Sequence, residues 1–444
     1  MRNVLVENNP QPADFSHPKS LQRNVGALLV DSGAFGSALG FMGYSTVVPN
    51  LVMLLTNSEP LVGFINMLWS GLWLLPQLAA GRWMASRPRK KPVILVSAII
   101  GRTSVLMFAI ALLLNLDRAV LFALMALMVI VFRGFDAVSA VAWFDIVSKV
   151  LPPNLRGRIL GWTQAVAFVL QFLVSFVVTW ALSTAGPAFP RNYALLIGLA
   201  ALGLLSSFVA LLFLHEPPGD VSNNVSGQLN MRAHARHILT HDRGFRQSAI
   251  ARVLVGGIAL AIPFYAVHAI KQLNLPENLL GVFLAAQTIG GIVSALITGA
   301  VSERYGSRIV IRVTLVLAMA PPALGVLLNL IGPGGGAVLT IGNILIFAAI
   351  GATDGSFLLG FLQYIMEIAP AVERTAYTGL ANTIGGVTVF ASLIGGVLLQ
   401  ATSYPVLFIA AALGPAAALA VVWRLPEAGL EEGGRAGDGS THQL

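Results

Sequence analysis

RGFDAVSAVAWFDIVSKVLPPNLRGRILG, residues 133–161, contains the pattern that decides the fold. The stretch begins inside a long apolar segment that carries Arg133 and Asp136, three residues apart. It leaves that segment at a pair of prolines, passes a short basic sequence and enters the next apolar segment. The same arrangement recurs 218 positions downstream without a gap, where Asp354 corresponds to Asp136. The chain is therefore built from two similar halves.

The composition indicates that most of the surface faces lipid. The chain has 444 residues, of which 56% are hydrophobic and 10% charged, and its mean hydropathy is +0.80. A soluble protein carries about 25% charged residues. An apolar run of about 20 residues crosses a bilayer as a helix. The runs here are long and continuous rather than short and alternating, which favours helices over a membrane β-barrel.

Twelve such segments can be counted, and we expect an all-α polytopic membrane protein. They lie at about 25–55, 60–83, 92–114, 119–146, 159–183, 192–214, 250–271, 279–301, 309–331, 337–366, 377–400 and 404–423. The expected domains are a tail (1–24), a six-helix bundle (25–214), a central loop (215–249), a second six-helix bundle (250–424) and a final tail (425–444). Because six is even, both bundles have the same orientation and should be related by a pseudo-two-fold axis along the membrane normal.

Basic residues indicate the orientation. Of 27 Lys and Arg residues, two lie within segments and only Arg118, Arg191 and Lys271 follow segments three, five and seven. The others lie on the face that holds both termini, and loops rich in Lys and Arg stay in the cytoplasm. We therefore expect cytoplasmic termini in a plasma-membrane protein. The net charge of +8 suits anionic lipid headgroups, but the short basic loops do not indicate a nucleic-acid partner.

Five charged residues at membrane depth are the candidates for a substrate or proton pathway. They are Asp31, Arg102, Arg133, Asp136 and Asp354. Each costs roughly 2.5–3.5 kcal/mol to insert, so such groups usually face the bundle and have partners. Arg133 and Asp136 either form a structural ion pair or recognise substrate charge and relay protons. Asp31 is a candidate proton carrier or a structural salt-bridge partner. Arg102 binds an anionic substrate or holds its segment to Asp31 or Asp136.

Polar side chains at helical spacing predict the lining of a cavity. They are Asn66, Trp73, Gln77, Gln164, Gln171, Gln287 and Asn382. Amides and aromatic rings in a mostly apolar cavity suit hydrogen bonding and stacking with a polar organic ligand. The alternative for each is packing and hydrogen bonding between helices.

Residues in the loops on the basic face form a candidate gate. They are Gly81, Arg89, Arg156, Gly299, Glu303, Arg304, Arg308 and Arg374. Glu303 can lie at the positive end of a neighbouring helix, or it can pair with Arg156 or Arg158 when this face is closed. A basic helix is expected at 231–246, and its His234, His237 and His241 could bind zinc. Surface histidines on such a helix are commoner, so we expect no metal and no other cofactor.

These motifs resemble the major facilitator superfamily across all twelve segments. The family's loop motif, approximately G-x-x-x-D-R-x-G-R-R, is similar to the second copy here, with Gly299, Glu303, Arg304, Gly306 and Arg308. In the first copy Gly81, Arg89 and Lys90 agree, but Ala85, Ser86 and Pro88 replace the acid, the Arg and the Gly. The resemblance implies two bundles that rock about a central cavity lined by segments one, two, four and five and their second-half counterparts.

The expected function is secondary active transport of a small organic solute, with the proton as candidate coupling ion. The chain has no phosphate-binding loop for ATP, no H-E-x-x-H motif and no cysteine nucleophile, so we expect neither a pump nor an enzyme. The antiport motif of the family is absent from 163–183, which argues against a drug/proton antiporter. A membrane sensor of transporter-like build is the main alternative, and a polytopic membrane enzyme is less favoured. We expect a monomer.

Overall fold

The computed structural model describes residues 18–217, 231–370, 373–423 and 425. Twelve of its helical segments are long and apolar enough to cross a membrane. In the first half they are α1 (Pro18–Met42 and Val47–Thr56), α2 (Glu59–Leu74 and Pro76–Ala85), α3 (Lys91–Ala111), α4 (Arg118–Val150), α5 (Pro153–Ala181) and α6 (Arg191–Leu212). This confirms the predicted all-α membrane fold for the first half.

The second half repeats the arrangement with more interruptions. Its helices are α7 (Arg243–Val255, Gly256–Leu260, Ile262–Val267 and His268–Gln272), α8 (Leu279–Tyr305), α9 (Ser307–Ile331), α10 (Gly336–Phe357, Leu358–Leu362 and Gln363–Ile368), α11 (Arg374–Gly385, Gly386–Phe390 and Ala391–Ala401) and α12 (Tyr404–Val422). A further short helix, the connecting helix Met231–His241, precedes α7. Several helices have proline in the first turn, as in Pro92 of α3 and Pro153 of α5, where its missing N–H is not needed.

The halves meet through glycines at equivalent positions. A Cβ added to Gly63 of α2 would lie 2.2 Å from the carbonyl oxygen of Ser392 in α11. A Cβ added to Gly281 of α8 would lie 2.2 Å from Oγ1 of Thr179 in α5. Gly63 and Gly281 are separated by the repeat offset of 218, so the pseudo-symmetry found in the sequence is also the symmetry of the contact between halves.

These contacts lie near one face of the membrane. We call the end of the molecule with the loops after α2, α4, α8 and α10 the basic face, and the other end the opposite face. Gly63 and Gly281 lie close to the opposite-face ends of their helices. Towards the basic face, the polar side chains of Gln164 in α5 and Asn382 in α11 are exposed. The cleft between the halves therefore opens towards the basic face.

Two sequence-based boundaries were wrong. The first helix begins at Pro18 rather than near residue 25. The expected helix 231–246 is broken at Asp242, whose side chain accepts a hydrogen bond from Phe245 N and starts α7. Asp242 also accepts from Tyr377 Oη at 3.0 Å, which fixes the end of the central loop to α11.

The central loop also begins as an anchored segment rather than a linker. Glu216 is 6% exposed and accepts the backbone N–H groups of Lys90 and Lys91 at the start of α3. Lys149 makes an ion pair with the same carboxylate at 3.2 Å. An acid at a helix N-terminus satisfies free N–H groups and complements the helix dipole. The next part of the predicted central loop, 218–230, and the tails at 1–17 and 426–444 lie outside the described residues.

Candidate functional site

Two acids and two arginines of the first half form one cluster at membrane depth. In α4, Nη1 of Arg133 and Oδ2 of Asp136 are 2.9 Å apart, so these side chains form the ion pair that was one of the two alternatives for them. Nη2 of Arg102 in α3 lies 3.9 Å from Oδ1 of Asp31 in α1. Asp31, Arg102 and Arg133 are each less than one-tenth exposed. The four charges sum to zero, as expected where an uncompensated charge would be costly.

Asp31 is enclosed by neighbouring helices. Its Oδ2 accepts a hydrogen bond from Nε1 of Trp143 in α4 at 2.9 Å. Its Oδ1 accepts one from the hydroxyl of Ser207 in α6. Both carboxylate oxygens are thus occupied by partners from the first half, and Arg102 holds α3 to this acid. The structure therefore favours the structural alternative for Asp31 and Arg102.

Arg133 is held by α2 as well as by Asp136. Its Nε donates to the carbonyl oxygen of Trp69 at 2.8 Å. Its guanidinium carbon lies 4.8 Å from the ring centre of Trp69 and 5.7 Å from that of Trp73. Such cation–π contacts stabilise an arginine whose water has been removed. Trp73, expected to line the cavity, thus also serves to hold Arg133.

Asp354 has a different environment from its counterpart Asp136. It is exposed and lies where α10 faces the first half. Its Oδ2 accepts hydrogen bonds from Oη of Tyr44 in α1 at 3.2 Å and from Nε2 of Gln287 in α8 at 3.5 Å. Within the described part of the chain, no Lys, Arg or His forms an ion pair with Asp354. This carboxylate is therefore accessible, at membrane depth and without a cationic partner from the protein.

A break in α1 brings polar groups to the same place. The helix is interrupted at residues 43–46, where Gly43 has a φ of +44° that glycine adopts without strain. Oγ of Ser45 then donates to Oε1 of Gln287 at 2.7 Å across the two halves. Oγ1 of Thr46 is buried without a hydrogen-bond partner in the described residues. We call Tyr44, Ser45, Gln287 and Asp354 the central site.

The sequence profile of the Major Facilitator Superfamily matches residues 30–388 and, in a second alignment, 253–442. The chain belongs to this superfamily. Members of the superfamily are transporters, so the chain is a multi-pass membrane transporter and we assign it no catalytic residues.

Solved structures of superfamily transporters share the fold. A bacterial homologue of the iron transporter ferroportin, inward-facing, superposes with a TM-score of 0.68 at 15% identity over 91% of this chain and 99% of that one. The nucleoside transporter NupG gives 0.66 at 12% identity over 91% and 100%. A D-xylose–proton symporter gives 0.66 at 13% identity over 92% and 98%. At these identities the likeness shows the fold alone.

A curated relative matches part of the sequence. It is the putative metabolite transport protein YncC of Bacillus subtilis (strain 168), which is 25% identical over 143 residues. The match covers 32% of this chain and 30% of the relative, less than a third of either length.

Apart from Trp73, which contacts Arg133, the predicted cavity residues of this superfamily member have four kinds of environment. Asn66 is buried and donates to the Tyr44 carbonyl oxygen at 3.2 Å, so it supports the break in α1. Gln77 donates to the Trp73 carbonyl oxygen in its own helix, and Gln171 packs against Gly40. Gln164 and Asn382 are exposed, and Asn382 accepts a hydrogen bond from Arg252. Gln287 alone among the seven reaches Asp354.

The predicted gate residues lie on the basic face without bridging it. Arg89, Glu303, Arg304 and Arg374 are exposed, whereas Gly81, Arg156, Gly299 and Arg308 are partly buried. Arg156 donates to the carbonyl oxygens of Ser148 and Leu151. Among the described residues Glu303 forms no ion pair with Arg156 or Arg158. The expected pairing is therefore absent from this conformation, because the halves are separated on this face.

The histidines of the connecting helix do not assemble a metal site in the described residues. His237 and His241 stack with 4.2 Å between ring centres. The side chain of His234 lies outside the described residues.

Sequence reasoning missed the residues that join the halves near the opposite face. Nδ2 of Asn50 donates to Oη of Tyr193 at 2.7 Å, and Oη of Tyr193 donates to Oε2 of Glu277 in the loop after α7 at 3.5 Å. Burial raises the pKa of the Glu277 carboxyl, although hydrogen bonds from Asn50 and Tyr193 oppose the shift. Lys271 also donates to Asn57 across the halves.

The central-site residues Tyr44 and Ser45 were missed as well. A signal for them existed, because Tyr44, Ser45 and Thr46 are three consecutive hydroxyl residues directly after a glycine in an otherwise apolar segment. Glu277 offered no comparable signal, since it is a single acid in a polar loop.

Proposed function

We propose that the protein is a secondary active transporter that moves a small organic solute by alternating access, with proton binding at Asp354 as the coupling event. The observation that carries this is an accessible carboxylate at membrane depth that contacts both halves and has no ion-pair partner among the described residues. A negative charge in such a place is costly unless a cation or a proton neutralises it.

The hydrogen bonds of the central site support coupling to the movement of the halves. Tyr44 belongs to the first half, whereas Gln287 and Asp354 belong to the second. Ionised Asp354 is a strong acceptor for the Tyr44 hydroxyl, and a charged acceptor strengthens a hydrogen bond roughly twofold. Protonation weakens that link, and the halves can then separate near the opposite face.

The solute is proposed to be a polar organic molecule. Gln287, Ser45 and Tyr44 offer both donors and acceptors beside an apolar wall, as a site for hydroxyl or amide groups requires. The fold relatives include a nucleoside transporter and a D-xylose–proton symporter, and their solutes are of this kind. Arg133 and Asp136, whose side chains are 10% and 12% exposed, are the members of the first-half cluster that we propose to face the solute.

We place the protein in the plasma membrane as a monomer, with both termini and the basic face in the cytoplasm. The two bundles, about 25–214 and 250–424, are then the moving bodies. The cleft is open to the cytoplasm in the conformation described above, and the gate residues close it in the alternate conformation.

The test is flux in proteoliposomes. Solutes that raise the melting temperature of the purified protein are assayed for uptake with and without a pH gradient. We expect the gradient to stimulate uptake at least tenfold and Asp354→Asn to remove that stimulation. Asp31→Asn is the matched control, and it should keep gradient-stimulated uptake because Asp31 is enclosed.

Two results would contradict the proposal. Uptake that ignores the gradient, or that remains gradient-dependent in Asp354→Asn, excludes proton coupling at this residue. Binding of a solute without any flux supports the alternative of a membrane sensor.

A further inference from the structure

A groove on the lipid-facing side of the first half lies beside the basic face. Its volume is about 630 Å³, and its walls come from the second segment of α2, the start of α3 and the middle of α4. Trp83, Val96 and Phe135 line it together with alanine and proline side chains. Trp83 is 52% and Val96 is 60% exposed. The groove is thus an apolar surface that runs from the basic loop into the membrane.

Positive charge is concentrated at the mouth of this groove. The guanidinium of Arg87 lies over the Trp83 ring, 4.0 Å from its centre, and Arg87 is one of the groove's lining residues. Arg82 and Arg89 are also exposed. A tryptophan beside an arginine is typical of the membrane–water interface, where one part of each side chain meets lipid and the other meets headgroups.

Among the described residues, no acid pairs with the arginines of this loop. The loop sequence from Gly81 to Val93 contains no Asp or Glu. Two acids are anchored beside this loop, Glu216 and Asp145, and both pair with Lys149. Glu216 also accepts the N–H groups of Lys90 and Lys91. In the described structure no ion pair involves Arg82, Arg87 or Arg89. Three exposed arginines therefore have no ion-pair partner in the described part of the chain and can bind an anionic ligand.

The lysines of the same loop are not available to that partner. Nζ of Lys90 donates to the carbonyl oxygens of Met84 and Arg87. Nζ of Lys91 donates to the carbonyl oxygens of Leu212 and Leu214. These contacts hold the loop in place, and they leave the arginines as its outward-facing charges.

The equivalent region of the second half is different. The cavity there, about 390 Å³, is lined by Ser307, Arg308, Arg312 and Glu367. Ser307 donates to Glu367 at 2.5 Å, so a carboxylate is part of this site. Its loop also keeps Glu303. Of these two regions, as far as the structure describes them, the first-half one combines an apolar groove with arginines that form no ion pair.

We propose that this groove binds one anionic phospholipid, with its phosphate on Arg87 and Arg89 and an acyl chain along Trp83, Val96 and Phe135. Charge complementarity decides the occupant. An anionic headgroup gains about 1 kcal/mol per arginine near the surface, whereas a zwitterionic one does not. The apolar walls require an attached chain, which a free phosphate lacks. The site shares Arg89 with the candidate gate, but lipid binding in detergent is measured without transport.

The experiment measures lipid binding to the full-length protein in detergent by native mass spectrometry. Dioleoyl-phosphatidylglycerol and dioleoyl-phosphatidylcholine are titrated separately into the protein, and their affinities are compared. We expect wild-type protein to bind the anionic lipid at least fivefold more tightly. Arg87→Gln should weaken that binding about fivefold and Arg87→Gln/Arg89→Gln about 25-fold. Arg304→Gln removes an exposed arginine from the equivalent loop of the second half and should change nothing.

Further variants separate headgroup from chain recognition. Arg87→Lys/Arg89→Lys keeps the charge and should retain most of the binding, which also shows that the loop is folded. Val96 lies on the exposed wall of the groove, and Val96→Asn should weaken binding of the phospholipid severalfold. Equal binding of both lipids, unchanged selectivity in the double Gln variant, or equally tight binding of soluble glycerol phosphate would each overturn the proposal.

Discussion

The helix pairs α2–α4 and α8–α10 occupy equivalent positions in the two halves. One equivalent backbone carbonyl group, however, has a different neighbour in each pair. In the first half Nε of Arg133 donates to the carbonyl oxygen of Trp69 at 2.8 Å. At the equivalent positions, 218 residues on, Gly351 lies so close to the carbonyl oxygen of Gln287 that an added Cβ would be 1.8 Å from it. The Arg133 side chain therefore lies between α2 and α4, whereas the backbones of α8 and α10 are in direct contact at Gly351.

This difference decides what each acid can do. Asp136 has Arg133 as its counterion. Asp354 has no such neighbour, because the close backbone contact at Gly351 leaves no room for a side chain. The first half thus keeps a neutral cluster that stabilises its bundle, while the second half presents a carboxylate to the cleft. Asp136 and Asp354 are thus equivalent by pseudo-symmetry. Their roles differ because Arg133 accompanies the first and Gly351 the second.

The largest effect is expected from removing the counterion of Asp136. Arg133→Gln leaves this carboxylate in a mostly buried position without its partner and should lower the free energy of unfolding by about 3–5 kcal/mol. Asp354→Asn should change it by less than about 1 kcal/mol, because that variant leaves no unpaired charge. Denaturant unfolding in mixed micelles measures both.

The double variant Arg133→Gln/Asp136→Asn is the control for the first comparison. It removes both charges and should recover a large part of the lost stability. Equal losses in Arg133→Gln and Asp354→Asn would show that the two acids do not differ as described.

The second effect concerns the backbone contact of the second half. Gly351→Ala forces α8 and α10 apart and should lower the free energy of unfolding by about 2–3 kcal/mol. Gly134→Ala is the matched control within α4, since nothing lies within 4 Å of a Cβ added there. If both substitutions are tolerated equally in thermal unfolding, the contact at Gly351 is not tight.

The third effect concerns the link between halves at the central site. Tyr44→Phe removes the hydroxyl that donates to Asp354 and should shift the population about tenfold towards the state open at the opposite face. The chain has no native cysteine, so a cysteine at Ser392, buried against Gly63, reports opening through its reaction with maleimide. Tyr305→Phe, at an exposed position on the basic face, should label like wild type.

The smallest effect is a pH dependence of closure at the opposite face. Burial raises the pKa of Glu277, so the closed form binds a proton more tightly than a form in which water surrounds this carboxyl. Closure is therefore favoured as the pH falls towards the ordinary glutamate value of about 4.3, and this contribution is lost as the pH rises through the raised value. The measurement uses Asp354→Asn as the background, because protonation of Asp354 would act in the opposite direction. There, labelling of the same cysteine should decrease at low pH, and Glu277→Gln should flatten that profile. An identical profile in both proteins argues against a role for Glu277.

The fold was predictable because its signals are long and repeated. Twelve apolar segments and an offset that aligns Asp136 with Asp354 depend on many residues at once. The pairing of Arg133 with Asp136 was also predictable, since three residues separate neighbours on one helix face. The partners of Asp31 were not, because Trp143 and Ser207 lie in helices whose rotation the sequence does not reveal.

The central site was predicted only in part for a similar reason. Gln287 and Asp354 stood out as polar groups in apolar segments. Tyr44 and Ser45 act through a break in α1 that depends on one glycine with positive φ and on contacts from the other half. The anchoring of Glu216 was missed because a polar, proline-containing stretch has the composition of a linker, whereas its role depends on N–H groups of Lys90 and Lys91 that precede it by more than 120 residues.

The enclosed position of Asp31 has a consequence for biosynthesis. Its partners Arg102, Trp143 and Ser207 all precede Glu216 in the chain, and Glu216 itself completes the start of α3. The ribosome has therefore made every group that neutralises the first-half cluster before it begins α7. The first bundle can reach a charge-balanced interior while the second is still being synthesised. When Asp354 enters the membrane, its hydrogen-bond donor Tyr44 is already in place.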